Sequence, residues 1–192
     1  MDLGIVQLAT DSDGQSFSGA HVKAARARYH LRRQRLQQVG TKNAKRRLRT
    51  NAGRERRFQK DTNHGISKAL VHKAVVARKA IALEDLTGIR ERVTVRREQR
   101  YERHSWAFFQ LRAFLTYKAA WAGVPVHLVD PRNTSRTCSA CGHGEKANRR
   151  SQAEFLCQRC GMTLNADHNA AINISRTYWA AVNRPMAATG NG

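Results

Sequence analysis

Apolar positions along the chain recur with two periods, and the changes of period divide it into elements. Met1 to Thr10 alternates as one strand, with Asp2, Gly4, Val6 and Leu8 on one face and Leu3, Ile5 and Ala9 on the other. Asp11-Ser-Asp-Gly14 reads as a hairpin turn into a second strand, Gln15 to Ser18. From Ala20 the spacing becomes helical: Val22, Ala25, Tyr29, Leu36 and Val39 share a stripe, Gly40-Thr-Lys-Asn43 interrupts it, and Ala44, Leu48 and Ala52 begin another. The prediction is a helical hairpin over 20–60. Thr62 and Asn63 then suit the cap of a third helix with Ile66, Leu70, Ala74 and Ala77 on its apolar face. Lys79 to Gly88 predicts a buried strand ending at Glu84 and Asp85, whose side chains must face opposite ways unless a bulge intervenes. Trp106 to Trp121 predicts a helix buried through Phe108, Leu111, Phe114, Leu115 and Trp121, a core stripe rather than a platform for bases. Val124 to Asp130 predicts another strand. The last helix starts near Asn165 to Asp167 and runs through Ala170, Ala171, Ile174, Tyr178 and Ala181, with Pro185 to Gly192 expected as a disordered tail.

Charge changes this picture by naming a partner. The 192 residues include 35 Lys and Arg against 14 Asp and Glu, a formal net charge of +21, which calls for a polyanion. Fifteen of those cations lie between Ala20 and Lys60 beside a single acid, Glu55. A helical hairpin of that composition repels itself unless phosphates neutralise it, so nucleic acid is the expected partner. Arg96, Arg97, Arg100 and Arg103 add cations in a charged stretch over 91–103. No apolar run of membrane-spanning length and no amphipathic anchor is present, so no membrane partner is expected.

The four cysteines form two Cys-x-x-Cys pairs, Cys138 with Cys141 and Cys157 with Cys160, fifteen residues apart. That spacing lets two tight turns close four thiolates around one zinc ion, as in a zinc ribbon. Gly142 and Gly161 follow the pairs where each turn needs backbone freedom. A closed four-thiolate shell has no open position, so the zinc is expected to be structural, and His143 is read as a turn residue. The cysteine pattern and the lack of a secretory signal point to a reducing cytoplasm.

Catalytic chemistry must then come from elsewhere, and three carboxylates stand out. Asp2 lies on the first strand, Glu84 at the end of an internal strand and Asp167 at the start of the final helix. In a ribonuclease-H-like α/β fold these positions converge at one edge of a mixed sheet. Three acids so placed need cations, and two Mg²⁺ ions shared among them would support phosphodiester hydrolysis.

The chain resembles the OrfB/TnpB family of insertion-sequence proteins, whose RuvC-like nuclease domain is related to that of type V CRISPR effectors. The resemblance rests on Asp2-Leu-Gly-Ile with Leu8-Ala-Thr-Asp-Ser-Asp-Gly14, Asn63-His-Gly-Ile-Ser-Lys68, Leu83-Glu-Asp-Leu-Thr-Gly-Ile-Arg90, Thr137-Cys-Ser-Ala-Cys-Gly142, and Cys157-Gln-Arg-Cys-Gly161 followed by Asn165-Ala-Asp-His-Asn-Ala-Ala-Ile-Asn173. It covers nearly the whole chain in the family's order.

The resemblance implies a metal-binding catalytic triad of Asp2, Glu84 and Asp167, with zinc held by Cys138, Cys141, Cys157 and Cys160. It implies a nuclease core over 1–136 including the basic hairpin, a zinc-ribbon insertion over 137–164, a final helix over 165–183 and a tail over 184–192. Family members are RNA-guided DNA endonucleases encoded with transposons and commonly described as transposases, so DNA and a guide RNA are the implied partners. They carry a long region before the first catalytic Asp, where here one residue stands. The resemblance therefore leads one to expect an N-terminally truncated chain with a frayed first strand. Such a chain would be the nuclease portion of an endonuclease or, alternatively, a non-catalytic nucleic-acid-binding remnant or regulator.

Overall fold

The computed structural model describes residues 1–4, 6–85, 108–151 and 153–182. Its elements are β1 (Gln7–Thr10), β2 (Ser16–Ser18), α1 (Ala20–Val39), α2 (Lys42–Ala77), β3 (Ile81–Glu84), α3 (Phe108–Trp121), β4 (Val126–Val129), β5 (Glu154–Leu156), β6 (Thr163–Asn165) and α4 (Ala166–Val182). The expectations for 91–103 and for the tail lie outside the described residues.

The predicted continuous strand over 1–10 is instead two pieces folded onto each other. Asp2 and Thr10 exchange both backbone hydrogen bonds at 2.9 Å, so the chain reverses between them before β1 pairs antiparallel with β2. Gly4 permits this, because a Cβ there would stand 2.8 Å from the Gln7 carbonyl oxygen. The expected fraying at Asp2 is not found, since its amide and its carbonyl are both paired. Residues 1–3 also run beside β3: the Met1 amine donates to the Ala82 carbonyl and the Leu3 amide to Glu84 Oε1, each at 2.8 Å. β3 pairs in parallel with β4, with Ile81 opposite Val126 and Glu84 opposite Val129. The strands thus follow one another as β2, β1, residues 1–3, β3 and β4.

The basic hairpin forms as expected. Gly40 takes the left-handed conformation (φ 68°) that ends α1, and the Thr41 hydroxyl accepts the Ala44 amide to start α2. Glu55, the one acid among the fifteen cations, is buried and takes the Arg33 guanidinium at 2.6 Å, tying the two helices together. The third helix expected from Thr62 does not exist as a separate element, because α2 runs unbroken for 36 residues. Both supposed caps have other partners: the Thr62 hydroxyl donates back to the Phe58 carbonyl, and the Asn63 amide reaches Gln110 on α3.

Apolar clusters lie on both faces of β3. Ile81 and Leu83 of β3 point into the larger core with Leu8, Val22, Ile66, Leu70, Leu111, Leu115 and Ala119. Ala82 points the other way, against Val129 and Ile174 of α4. Strand alternation therefore places Glu84 on the α4 side. The α3 stripe differs from the expected one: Leu111, Leu115 and Ala119 are buried, whereas Trp121 is 86% exposed and Phe114 only half-buried.

Candidate active site and metal centre

The two Cys-x-x-Cys turns have the same internal bonding. The Cys138 amide donates to the His143 carbonyl and Gly142 donates back to Cys138; five residues apart likewise, Cys157 donates to Met162 and Gly161 to Cys157. Gly142 and Gly161 sit at φ 74° and 71°, as the sequence required. The Ala140 and Cys160 amides point at the Cys138 and Cys157 sulfurs. All four sulfurs lie within 4.8 Å of one another, with the Cys138–Cys160 and Cys141–Cys157 pairs at 3.7 and 3.6 Å. Zinc bonded at about 2.3 Å to four thiolates needs edges of about 3.8 Å, so the donor set fits that ion. His143 bonds Glu145 and stays outside the cluster.

Three buried asparagines that the sequence reading passed over hold this module in place. Asn148 donates to the Arg136 and His143 carbonyls and accepts the Gln158 amide, joining the two turns. From α4, Asn169 donates to Thr137 O and accepts the Ser139 amide, while Asn173 donates to the Thr134 and Thr137 carbonyls. Their spacing of four is the signal that was available: one helix face, two polar residues, no water-facing role.

The same helix carries Asp167. Asn165 caps α4 by accepting the Asp167 and His168 amides, which fixes the acid in the first turn. Burial, then a hydrogen bond to Glu84 and the charge of Glu84, pushes the Asp2 carboxyl far above its ordinary range, to about 9. Burial, then the charge of Asp2, raises Asp167 to about 6. Arg149 opposes both shifts, its guanidinium 3.7 Å from Asp167 Oδ1. Asp167 therefore senses the charge of Asp2, and Asp2 is hydrogen-bonded to Glu84. The trio is looser than the thiolates, since no three carboxylates among the described residues bring their oxygens within 4.8 Å of one another.

Asp85 faces away, held by Arg112 of α3 at 3.1 Å. Arg149 is the residue missed at this site. It follows the short 3₁₀ turn Lys146–Asn148, so Asn148 anchors the loop that delivers it. No helix among the described residues is long and apolar enough to cross a membrane.

Comparison with known proteins fits this arrangement. Residues 108–174 match the family described as the Cas12f1-like TNB domain. The chain is 40% identical over 119 residues to a CRISPR-associated endodeoxyribonuclease Cas12f1 of Sulfoacidibacillus thermotolerans, covering 62% of this chain and 27% of the relative. It is 36% identical over 124 residues to a TnpB-like protein of Methanocaldococcus jannaschii, covering 64% and 44%. It is 32% identical over 193 residues to InsQ of Escherichia coli, whose name describes an RNA-guided DNA endonuclease, covering 91% and 47%. The chain thus spans less than half the length of these relatives. A cryo-electron microscopy structure of a Cas12f1 complex with guide RNA and target DNA superposes with a TM-score of 0.71 at 21% identity, over 92% of this chain and 48% of that one. The fold is the one found in that part of a Cas12f1, built of mixed helices and small sheets. The chain is accordingly similar in sequence to TnpB-like and Cas12f proteins, and its residues 108–174 match the Cas12f1-like TNB domain.

Proposed function

We propose that this chain is the nuclease portion of an RNA-guided DNA endonuclease, with Asp2, Glu84 and Asp167 as its metal-binding catalytic acids. The observation that carries this is the closeness of the acids: burial and Glu84 hold Asp2, and burial and Asp2 hold Asp167, well above the usual carboxylate range, which a bound cation would relieve. The strand sequence of an antiparallel pair, residues 1–3 and two parallel strands supports a ribonuclease-H-like sheet, and the matched cysteine turns support a zinc ribbon inserted before α4.

Two Mg²⁺ ions in this site would activate a water and stabilise the leaving oxygen of a phosphodiester. Asp2, Glu84 and Asp167 would hold such ions, with Asp2 losing its proton to do so and Asp167 contributing from the helix start. Arg149 faces the same space and is positioned to hold a phosphate oxygen once Asp167 turns to a cation. DNA and a guide RNA are the partners this reading takes from the homologues, with the basic hairpin holding backbones rather than reading bases.

The test is Mg²⁺-dependent DNA cleavage by the chain, with and without a guide, compared among Asp2→Ala, Glu84→Ala and Asp167→Ala. Each single substitution should abolish it. Cleavage that survives any one of the three overturns the assignment, and DNA binding without metal-dependent cleavage favours a purely binding role.

A further inference from the structure

Helices α2 and α3 carry a row of rings that the acidic site does not use. His64 of α2 stacks on Phe114 of α3 with centroids 4.0 Å apart and planes 20° from parallel. Phe114 meets Tyr117 edge-on at 5.8 Å, and Tyr117 meets Trp121 edge-on at 5.2 Å. Spacings of three and four make one stripe of about 10 Å along α3, distinct from its buried stripe. Trp121 is 86% exposed, and His64, Phe114 and Tyr117 are half-buried. A contiguous open row of rings is uncommon on a surface without a partner.

The charges around the row say which partner. The Lys118 ammonium lies 5.8 and 6.0 Å from the Phe114 and Tyr117 ring centres, fixed by the Ser67 hydroxyl and the His64 carbonyl at 2.7 and 2.8 Å. Exposed Lys60 and Lys68 flank it: after burial, the charges of Lys118 and Lys60 hold His64 below its ordinary value, and Lys68 acts the same way on Lys118. Asp61 is the acid that opposes them at His64. A second copy of the chain would bring these lysines against one another, and the core of a protein interface is depleted of such charges. Rings bordered by cations suit unpaired bases whose phosphates pass alongside.

We propose that His64, Phe114, Tyr117 and Trp121, with Lys60, Lys68 and Lys118, form a binding surface for single-stranded nucleic acid that stacks about two or three unpaired bases. This goes beyond cleavage and needs none of the three acids. Duplexes keep their base faces covered, so the surface favours single strands; rings read no base edges, so it is indifferent to sequence.

The test uses the zinc-loaded full chain and fluorescence anisotropy with a short oligothymidine, an abasic strand of equal length and a matching duplex. Trp121→Ala should weaken oligothymidine binding about tenfold, and adding Tyr117→Ala should weaken it further. Abasic and duplex binding should stay unchanged, as should the salt dependence, because no phosphate contact is removed. Trp121→Phe should restore most of the loss, and Trp179→Ala, on the exposed part of α4, should have no effect. Trp121 is open to solvent, so its replacement leaves the fold intact, which an unchanged melting temperature verifies. Equal oligothymidine binding by wild type and the double variant overturns the proposal. So does an equal loss on the abasic strand, or a ladder variant that converts a dimer to a monomer in sedimentation, which would assign the face to a second copy.

Discussion

Arg112 holds Asp85 at 3.1 Å on the α3 side of β3, while the neighbouring Glu84 accepts the Leu3 amide on the side facing α4. Two adjacent acids thereby have different tasks. Asp85→Ala should leave metal-dependent cleavage within about threefold of wild type and cost less than about 1 kcal/mol, because both partners of that pair are partly exposed. Glu84→Ala should remove cleavage. Equal losses from the two substitutions, measured as single-turnover rates, would contradict this division.

A pH titration of stability reports on the acids without catalysis. A carboxyl whose folded pKa lies above its unfolded value holds its proton more tightly in the folded state, so the folded state loses stability as pH rises between the two values. For Asp2 that window runs from 3.8 to about 9, and for Asp167 from 3.8 to about 6. In Mg²⁺-free buffer with zinc retained, Asp2→Asn should melt higher than wild type at pH 8, and the gap should shrink toward pH 4. Adding Mg²⁺ should raise the wild-type melting temperature and leave that of Asp2→Asn nearly unchanged. A pH-independent gap would show that Asp2 is not held protonated by burial and Glu84.

Zinc removal should act locally. Metal analysis should find one zinc per chain, lost in Cys157→Ser. Amide exchange should then accelerate at Ser139 and Gln158, whose partners Asn169 and Asn148 knit the module together. The α1–α2 hairpin should keep its protection, since its contacts lie in the other core. Zinc-free chain with full protection at Ser139 would show that the asparagines alone suffice.

The hairpin's part in binding is read from salt dependence. Arg32, Arg35, Arg46 and Arg47 are exposed, so replacing all four with Gln should lower the slope of log K against log salt by about 3 to 4. Arg33 is left out because it holds Glu55. An unchanged slope would move the phosphate contacts elsewhere.

Much of this was legible because it is local. The cysteine spacing and following glycines specify two tight turns whatever surrounds them, and Glu84 at the end of an apolar run followed from strand alternation. The missed parts are tertiary. Thr62 and Asn63 look like caps until Gln110 and the Phe58 carbonyl satisfy them, and only then does α2 run through. Met1 to Thr10 alternates well enough for one strand, but Gly4 allows a reversal that brings Asp2 opposite Thr10. Arg149 lay in a polar stretch with no periodicity, and its meaning depends on how the loop folds over Asp167.

Helix α4 reads three partners at once from different sides: Asp167 meets the acids, Asn169 and Asn173 grip the cysteine module, and Ile174 packs against Ala82 and Val129. The helix therefore has a fixed phase. Inserting a single residue after Asp167 would rotate everything beyond it by about 100° and carry both asparagines off their carbonyls, leaving buried polar groups on each side unpaired. Length changes in the exposed turn near Ser151 cost no such rotation. Related chains should accordingly differ in length within the cysteine module and keep a constant count of residues along α4.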